Sequence, residues 1–252
     1  ELMAGIYFHY PFCSQACNYC NFHFSTQTKY RQQMQQAMKS ELYLRKSELK
    51  TPIESIYFGG GSPSLLPASF FHKVIKSVND CFKLSNNIEI TLEANPSDLT
   101  LQNLKDLKKS GVNRISIGVQ SFHDYELKMM NRIHNSNQGL KAIEWTSKVF
   151  DNFSVDLIYG LPKSNISTWA HNLDILTSFN PPHISSYALT VEPKTVLFRQ
   201  VDKGDIKLLD EEAVQLQYDL LTSRLEKEAY INYEFSNFGK IGFHSVNNSN
   251  YW

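Results

Sequence analysis

An α/β fold is predicted for this chain, as an open, partial (β/α)6 barrel, because six short apolar or β-branched runs alternate with longer segments of helical period. Two further observations sharpen the prediction. Six such units use residues 5 to about 191, too few for the eight strands of a complete barrel. Polar residues also recur at the carboxyl ends of the runs, where a parallel sheet gathers its site. A doubly wound sheet has the same periodicity and stays open as the alternative.

The runs are GIYFHY at 5–10, SIYF at 55–58, EITLE at 89–93, RISIGV at 114–119, VDLIY at 155–159 and HISSYAL at 183–189. Amphipathic helices lie between them. One carries Tyr30, Met34 and Met38 on one face, the next Phe71, Val74 and Val78. The clearest has Thr100 as N-cap, Leu101, Leu104 and Leu107 on one side, and Gly111 just past its end. A further helix follows Trp169, Leu173 and Leu176, and a last one begins at Asp210, Glu211 and Glu212, whose charge suits its positive end. The expected division is a barrel over 3–191 and a C-terminal extension over 192–252. The extension reads as the beginning of a truncated second domain, because the chain stops on Asn250, Tyr251 and Trp252 without a helix stop or polar tail.

At 252 residues a chain buries about 70–75% of the surface its unfolded form exposes, enough for one large core. The 25 basic and 25 acidic residues are interspersed without long like-charge blocks, which argues against nucleic acid and for a small molecule or protein as partner. No apolar run approaches the roughly 20 residues of a membrane span, and the N-terminal stretch lacks the basic and cleavable parts of a signal peptide. The chain reads as cytosolic.

Cys13, Cys17 and Cys20 fall within eight residues, in the loop after the first run, and the fourth cysteine, Cys81, is remote. Structural zinc and iron–sulfur sites normally take four protein ligands, whereas a site that performs chemistry leaves a position open. Three thiolates suit a cubane cluster with one iron left for a non-protein ligand. Structural zinc, with His9 or His23 as fourth ligand, is the alternative. After the second run comes Gly59-Gly60-Gly61-Ser62-Pro63, where glycines let the backbone approach a ligand. The third run ends in Glu93-Ala94-Asn95-Pro96, the fourth at Gln120, and the fifth carries Asp156 and ends at Gly160. Arg132 follows the fourth and reads as a helical residue. Carboxylates, amides, a guanidinium and bare backbone are the parts needed to grip a zwitterionic amino acid joined to a ribose. Glu93 and Asp156 have ion-pair roles as their alternative, with Arg114 a partner, and His72, His123, His134, His171 and His183 show no constellation.

These motifs resemble the radical S-adenosylmethionine superfamily, in the branch of oxygen-independent coproporphyrinogen III dehydrogenases and HemW-type haem chaperones. The resemblance runs from Gly5 to Trp252 and rests on the CxxxCxxC loop, the GGGSP turn, GVQSF at 118–122 and VDLIYGLP at 155–162. It implies a partial (β/α)6 radical-SAM barrel. It implies a [4Fe-4S] cluster on Cys13, Cys17 and Cys20, and S-adenosylmethionine held by Tyr7, Tyr19, Gly60, Gly61, Ser62, Glu93, Gln120, Arg132, Asp156 and Ala188. An electron donor is implied as well, and either reductive cleavage of S-adenosylmethionine or regulated haem delivery to a client protein.

Two departures divide the branch. The dehydrogenases carry a further cysteine two residues after the third and an N-terminal extension; here Asn21 and Phe22 follow Cys20. The resemblance therefore leans to the haem chaperones, with coproporphyrinogen III dehydrogenase as the runner-up and a zinc-stabilised binding module as the third reading. The chaperones' His-Asn-x-x-Tyr-Trp haem motif aligns with residues 247–252, where Asn247 stands in the histidine's place. An asparagine amide is a poor haem ligand. His244, Tyr251 and Trp252 are left as the haem candidates.

Overall fold

The computed structural model describes residues 4–249. Six strands run parallel and in chain order: β1 (Ala4–Tyr10), β2 (Ile53–Gly60), β3 (Leu84–Ala94), β4 (Arg114–Gln120), β5 (Phe153–Tyr159) and β6 (His183–Ala188). They coincide with the six predicted runs. Two short strands the sequence did not reveal, β7 (Ile231–Glu234) and β8 (Asn237–Gly239), extend the sheet antiparallel beyond β6, in the order β1-β2-β3-β4-β5-β6-β8-β7. Neighbouring strands are consecutive throughout the parallel part, with no reversal of strand order. The sheet therefore curls as an open barrel, and the doubly wound alternative falls away.

The helices are α1 (Arg31–Leu44), α2 (Ala68–Cys81), α3 (Leu101–Lys109), α4 (Asp124–Met129), α5 (Ser136–Ser147), α6 (Ile166–Ser178), α7 (Val196–Asp202), α8 (Glu211–Lys227) and a single turn, α9 (Val246–Ser249). Thr100 caps α3 as predicted, its hydroxyl accepting from Asn103 N while the Asn103 side chain accepts from the Thr100 N–H. Asn135 and Asn165 cap α5 and α6 in the same reciprocal way. Asp210 caps α8, with Glu211 and Glu212 in its first turn.

Alternation along the strands separates two environments. One face buries Ile56, Phe58, Ile90, Leu92, Ile115, Ile117, Val155, Leu157 and Ile184 under Phe71, Val78, Leu104, Leu107, Ile143, Trp169 and Leu173 of the helices. The other face is polar. On it Tyr57 donates to Glu93, Ser116 and Ser154 donate to Asp156, and His183 meets Ser154. His183 thus has the constellation the sequence did not show: its Nδ1 lies 2.8 Å from Ser154 Oγ and its Nε2 2.7 Å from the Tyr233 hydroxyl.

The amino-terminal end of this lumen is closed by the chain itself. Buried Glu89 lies 3.9 Å from Arg114 Nε and accepts from Ser245 Oγ, Val246 N and Asn247 N at 3.2–3.4 Å. Arg114 thus pairs with Glu89, not with Glu93 or Asp156. Among the described residues, no helix is long and apolar enough to cross a membrane.

Candidate active site at the carboxyl ends of the strands

The cysteine loop is stitched to the fold on two sides. On its own strand, Cys13 N donates to Ser25 O and Ser25 N to Pro11 O, while His9 Nε2 lies 3.0 Å from His23 O. On the other side, Asn18 N and its side chain donate to Met130 O and Met129 O. Gln15 donates to Asn131, and the Asn131 side chain donates back to Ala16 O. Asn131 adopts φ +56°, a conformation asparagine tolerates better than most residues.

The glycine turn after β2 packs directly on that loop. Gly61 N donates to Tyr10 O and Ser62 N to Phe12 O, at 2.7 and 2.8 Å. A Cβ on Gly61 would stand 2.7 Å from the Phe12 carbonyl oxygen, and one on Gly60, at φ +104°, 2.6 Å from the His9 ring. Gly60 N donates to Glu93 Oε2 at 3.1 Å and the Tyr57 hydroxyl to Glu93 Oε1 at 2.9 Å. Tyr57 stacks in turn on Tyr7, whose hydroxyl lies 3.3 Å from His9 Nδ1.

Arg132 lies between α4 and α5, in irregular backbone and not on the expected helix. It is no solvated surface residue. Its Nη2 donates to Asn95 Oδ1 and Gly118 O, both at 2.6 Å, and its Nη1 to Cys17 Sγ at 3.5 Å. Its Nε is buried and makes no hydrogen bond among the described residues. Asn95 completes a bridge by donating to Ser62 Oγ at 2.7 Å. Gly118 is bare because the Gln120 and Arg132 side chains pass over it, at 2.9 and 3.4 Å from where its Cβ would sit. Gln120 holds φ +70°, strain of the kind that collects at working sites.

One mouth therefore gathers Cys13, Cys17, Cys20, Tyr7, Tyr19, Gly60, Gly61, Ser62, Glu93, Gln120 and Arg132. Asp156 lies deeper in the lumen and Ala188 is exposed at the end of β6. Asn95 and Tyr57 are mouth residues to which the sequence analysis gave no individual role, and His9, weighed there as a zinc ligand, instead meets the Tyr7 hydroxyl and the His23 carbonyl. Asn95 had a signal, two residues beyond Glu93 at a strand end before a proline. Tyr57 had none, because only the curl of the sheet sets it against Glu93. His244 lies at the other end of the barrel, its ring stacked on Tyr233 at 4.3 Å and packed against Gly239, with Nε2 buried and without a partner among the described residues. Tyr251 and Trp252 lie outside the described residues.

Burial governs the electrostatics. It pushes the thiols of Cys13 and Cys20 up from their usual range, opposed by donors from Ser62 and from the Phe22 N–H. It also raises the carboxyl of Glu93 to about 7, opposed by the Tyr57 hydroxyl and reinforced by the charge of Asp156, whose own carboxyl is raised by burial. The native chain thus keeps the Glu93 proton up to about pH 7, whereas the unfolded chain releases it near the ordinary 4.5. Its contribution to stability therefore falls as pH rises through that window. Glu93→Gln is expected to gain stability relative to wild type between pH 5 and pH 7.5, measured by urea midpoints. A constant difference between the two proteins would contradict the assignment.

The mouth was tested for an iron–sulfur cluster by its donor set. Each sulfur has a polar group beside it: Ser62 near Cys13, Arg132 Nη1 donating to Cys17 Sγ at 3.5 Å with Tyr19 near it, and the Phe22 N–H near Cys20. Such donors suit the negative charge of cluster thiolates. Among the described residues no three His, Cys, Asp or Glu side chains stand close enough to hold a single ion. A tetrahedral zinc would draw its sulfurs to about 3.8 Å of one another, from zinc–sulfur bonds of about 2.3 Å. A cubane gives each cysteine its own iron and spreads them wider. The residues fit the cluster.

Fold and mouth define a class: an α/β half barrel with a three-thiolate loop after its first strand and a glycine-backed polar pocket beside it. A family model, the radical SAM superfamily, matches residues 7–176, and the chain is 34% identical over 254 residues to Heme chaperone HemW of Bacillus subtilis (strain 168), covering 99% of this chain and 67% of that protein. The chain belongs to the radical SAM superfamily, in its HemW-like branch. It is likewise similar to radical S-adenosyl methionine domain-containing protein 1, mitochondrial, of Danio rerio, at 34% identity over 99% of this chain and 57% of that one. Among solved structures, coproporphyrinogen III oxidase (HemN) from Escherichia coli, described as a radical SAM enzyme, superposes with a TM-score of 0.84 at 24% identity. That match covers 96% of this chain and 56% of that chain, and supports the fold. The chain thus spans between about half and two thirds of the length of these relatives. The family implies a [4Fe-4S] cluster and S-adenosylmethionine.

Proposed function

We propose that this chain is the cluster- and S-adenosylmethionine-binding part of a haem chaperone that delivers haem to a client protein. The observation that carries this is the meeting of the cysteine loop, the Gly60–Gly61 turn and the Glu93–Asn95–Arg132 constellation at one mouth. The similarity to Heme chaperone HemW over 99% of the chain selects the function within the family. In this reading Cys13, Cys17 and Cys20 hold the cluster, which leaves one iron for the amino and carboxylate groups of S-adenosylmethionine. When bound, the cluster supplies one-electron chemistry.

The protein's own work is to bind and orient. Arg132 Nε, buried and without a hydrogen bond among the described residues, offers its N–H to the carboxylate. Gly60 and Gly61 would offer bare backbone to the amino acid end, and Glu93 and Asp156 would supply carboxylates to the ligand's polar groups. Gln120, Tyr7, Tyr19, Ser62 and Ala188 complete the pocket. The bonds of Tyr57 and Gly60 fix both oxygens of Glu93, so the carboxylate is held in place before the ligand arrives.

Haem belongs elsewhere in this proposal. His244 and the Asn247 segment lie at the amino-terminal end of the strands, opposite the mouth. Ligation by His244 requires its ring to leave Gly239 and Tyr233. Haem titration followed by Soret absorption tests this: His244→Ala is expected to weaken binding by roughly tenfold or more, about 1.4 kcal/mol. Unchanged binding would remove His244 from the proposal and leave Tyr251 or Trp252. The second reading, coproporphyrinogen III dehydrogenase, draws on the HemN-like fold. The residue two positions after Cys20 is Phe22, where those enzymes carry a cysteine. Anaerobic turnover of coproporphyrinogen III by the protein would favour that reading over the chaperone.

A further inference from the structure

The three sulfurs of the mouth are not equivalent. The groups that most lower the thiol pKa of Cys13 and Cys20 are neutral, the Ser62 hydroxyl and the Phe22 N–H. Cys17 Sγ accepts from Nη1 of Arg132 at 3.5 Å, and the buried Tyr19 lies close enough for its ionisation to sense both groups. Among the described residues it is the one cysteine sulfur hydrogen-bonded to a cation. The guanidinium is fixed there by its two 2.6 Å bonds to Asn95 Oδ1 and Gly118 O, so its placement does not depend on a flexible side chain finding the sulfur. Tyr19 is fixed by packing, against Leu127, Met130, Ile158 and Leu161.

We propose that Arg132 is a tuning residue that raises the reduction potential of the cluster by donating to Cys17 Sγ. The inference rests on the cluster reading above. Reduction adds a negative charge to the cluster, and N–H and O–H donors on a ligating sulfur stabilise the reduced form more than the oxidised one. A full positive charge does so most strongly where water is excluded. The iron on Cys17 becomes the corner at which an added electron is best stabilised, and the electron donor of the system can be correspondingly less reducing.

The test is an anaerobic redox titration, followed by EPR, of reconstituted protein free of S-adenosylmethionine. Wild type is compared with Arg132→Gln, Arg132→Lys and Tyr19→Phe, with iron and sulfide measured for each. Glutamine removes the charge together with the Nη1 donor to Cys17, and its shorter side chain keeps one amide NH2 on the side of Asn95 and Gly118. The expected order is a clear negative shift for Arg132→Gln and a smaller one for Arg132→Lys, both with a full cluster, beside Tyr19→Phe as the neighbouring variant that leaves the guanidinium in place. Coincident potentials in cluster-replete Arg132 variants would overturn the proposal and leave Arg132 as a tie between strand ends. If Arg132→Gln does not retain its cluster, Arg132→Lys decides, and an unmoved potential there overturns it. Failure of the wild type to take up a four-iron cluster would instead defeat the underlying reading, a distinguishable outcome.

Discussion

Cys17→Ala is expected to abolish cluster binding: reconstituted protein should be colourless, with iron and sulfide near zero, while its far-ultraviolet circular dichroism stays that of the folded barrel. The two effects separate for a structural reason. The loop is held by main-chain and amide bonds from Asn18, Gln15, Asn131, Ser25 and His9, none of which uses the Cys17 side chain. The core lies on the other face of the sheet, under the helices. Removing one thiolate therefore leaves the scaffold intact but gives the cluster two ligands where it needs three. The substitution also strands the Arg132 Nη1 donor, costing about 1–3 kcal/mol of stability. A full complement of iron and sulfide in this variant would sink the assignment of the loop.

The second large effect is expected at the glycine turn. Gly60→Ala combines a positive φ with a Cβ 2.6 Å from the His9 ring, which is pinned between Tyr7 and the His23 carbonyl. Gly61→Ala sets a Cβ 2.7 Å from the Phe12 carbonyl oxygen, where backbone meets backbone and nothing flexible yields. Each clash displaces the turn from the cysteine loop and loosens the Gly60 N–H from Glu93. The strain is worth about 1–3 kcal/mol, or a Tm lower by roughly 2–12 °C in a domain of this size. Affinity for S-adenosylmethionine should fall by more than tenfold, measured by isothermal titration on the reconstituted protein. Native affinity in both variants would show that the turn supports the loop but does not meet the cofactor.

Much of this architecture was legible before the structure, and the reason is periodicity. The six parallel strands announce themselves because each is buried on its helix-covered face by Ile, Val, Leu and Phe, as in Ile115, Ile117, Val155 and Leu157. The hairpin of β7 and β8 did not. Its strands are short, Ile231 is exposed, and Asn232, Tyr233 and Asn237 serve hydrogen bonds instead of a hydrophobic stripe. The site divides in the same way. Cysteine spacing and glycine runs are local signals, and they placed Cys13, Cys17, Cys20, Gly60 and Gly61.

Long-range partners carry no such mark. Arg132 stands in a charged, helix-like stretch of sequence, and only the fold turns it inward onto Asn95, Gly118 and Cys17. Tyr57 reads as one more strand aromatic until β3 sets Glu93 beside it. His183 reads as an ordinary strand residue until β5 and β7 bring Ser154 and Tyr233 to its two nitrogens.

The central claim is that three thiolates at this mouth hold a four-iron cluster with one iron open to S-adenosylmethionine. Its most direct test is the EPR spectrum of anaerobically reconstituted, dithionite-reduced protein, recorded with and without S-adenosylmethionine beside iron and sulfide analysis. The account predicts about four irons and four sulfides per chain, in keeping with a cubane, and a cubane signal that shifts when S-adenosylmethionine is added. Protein without iron, or a signal indifferent to S-adenosylmethionine, would contradict it.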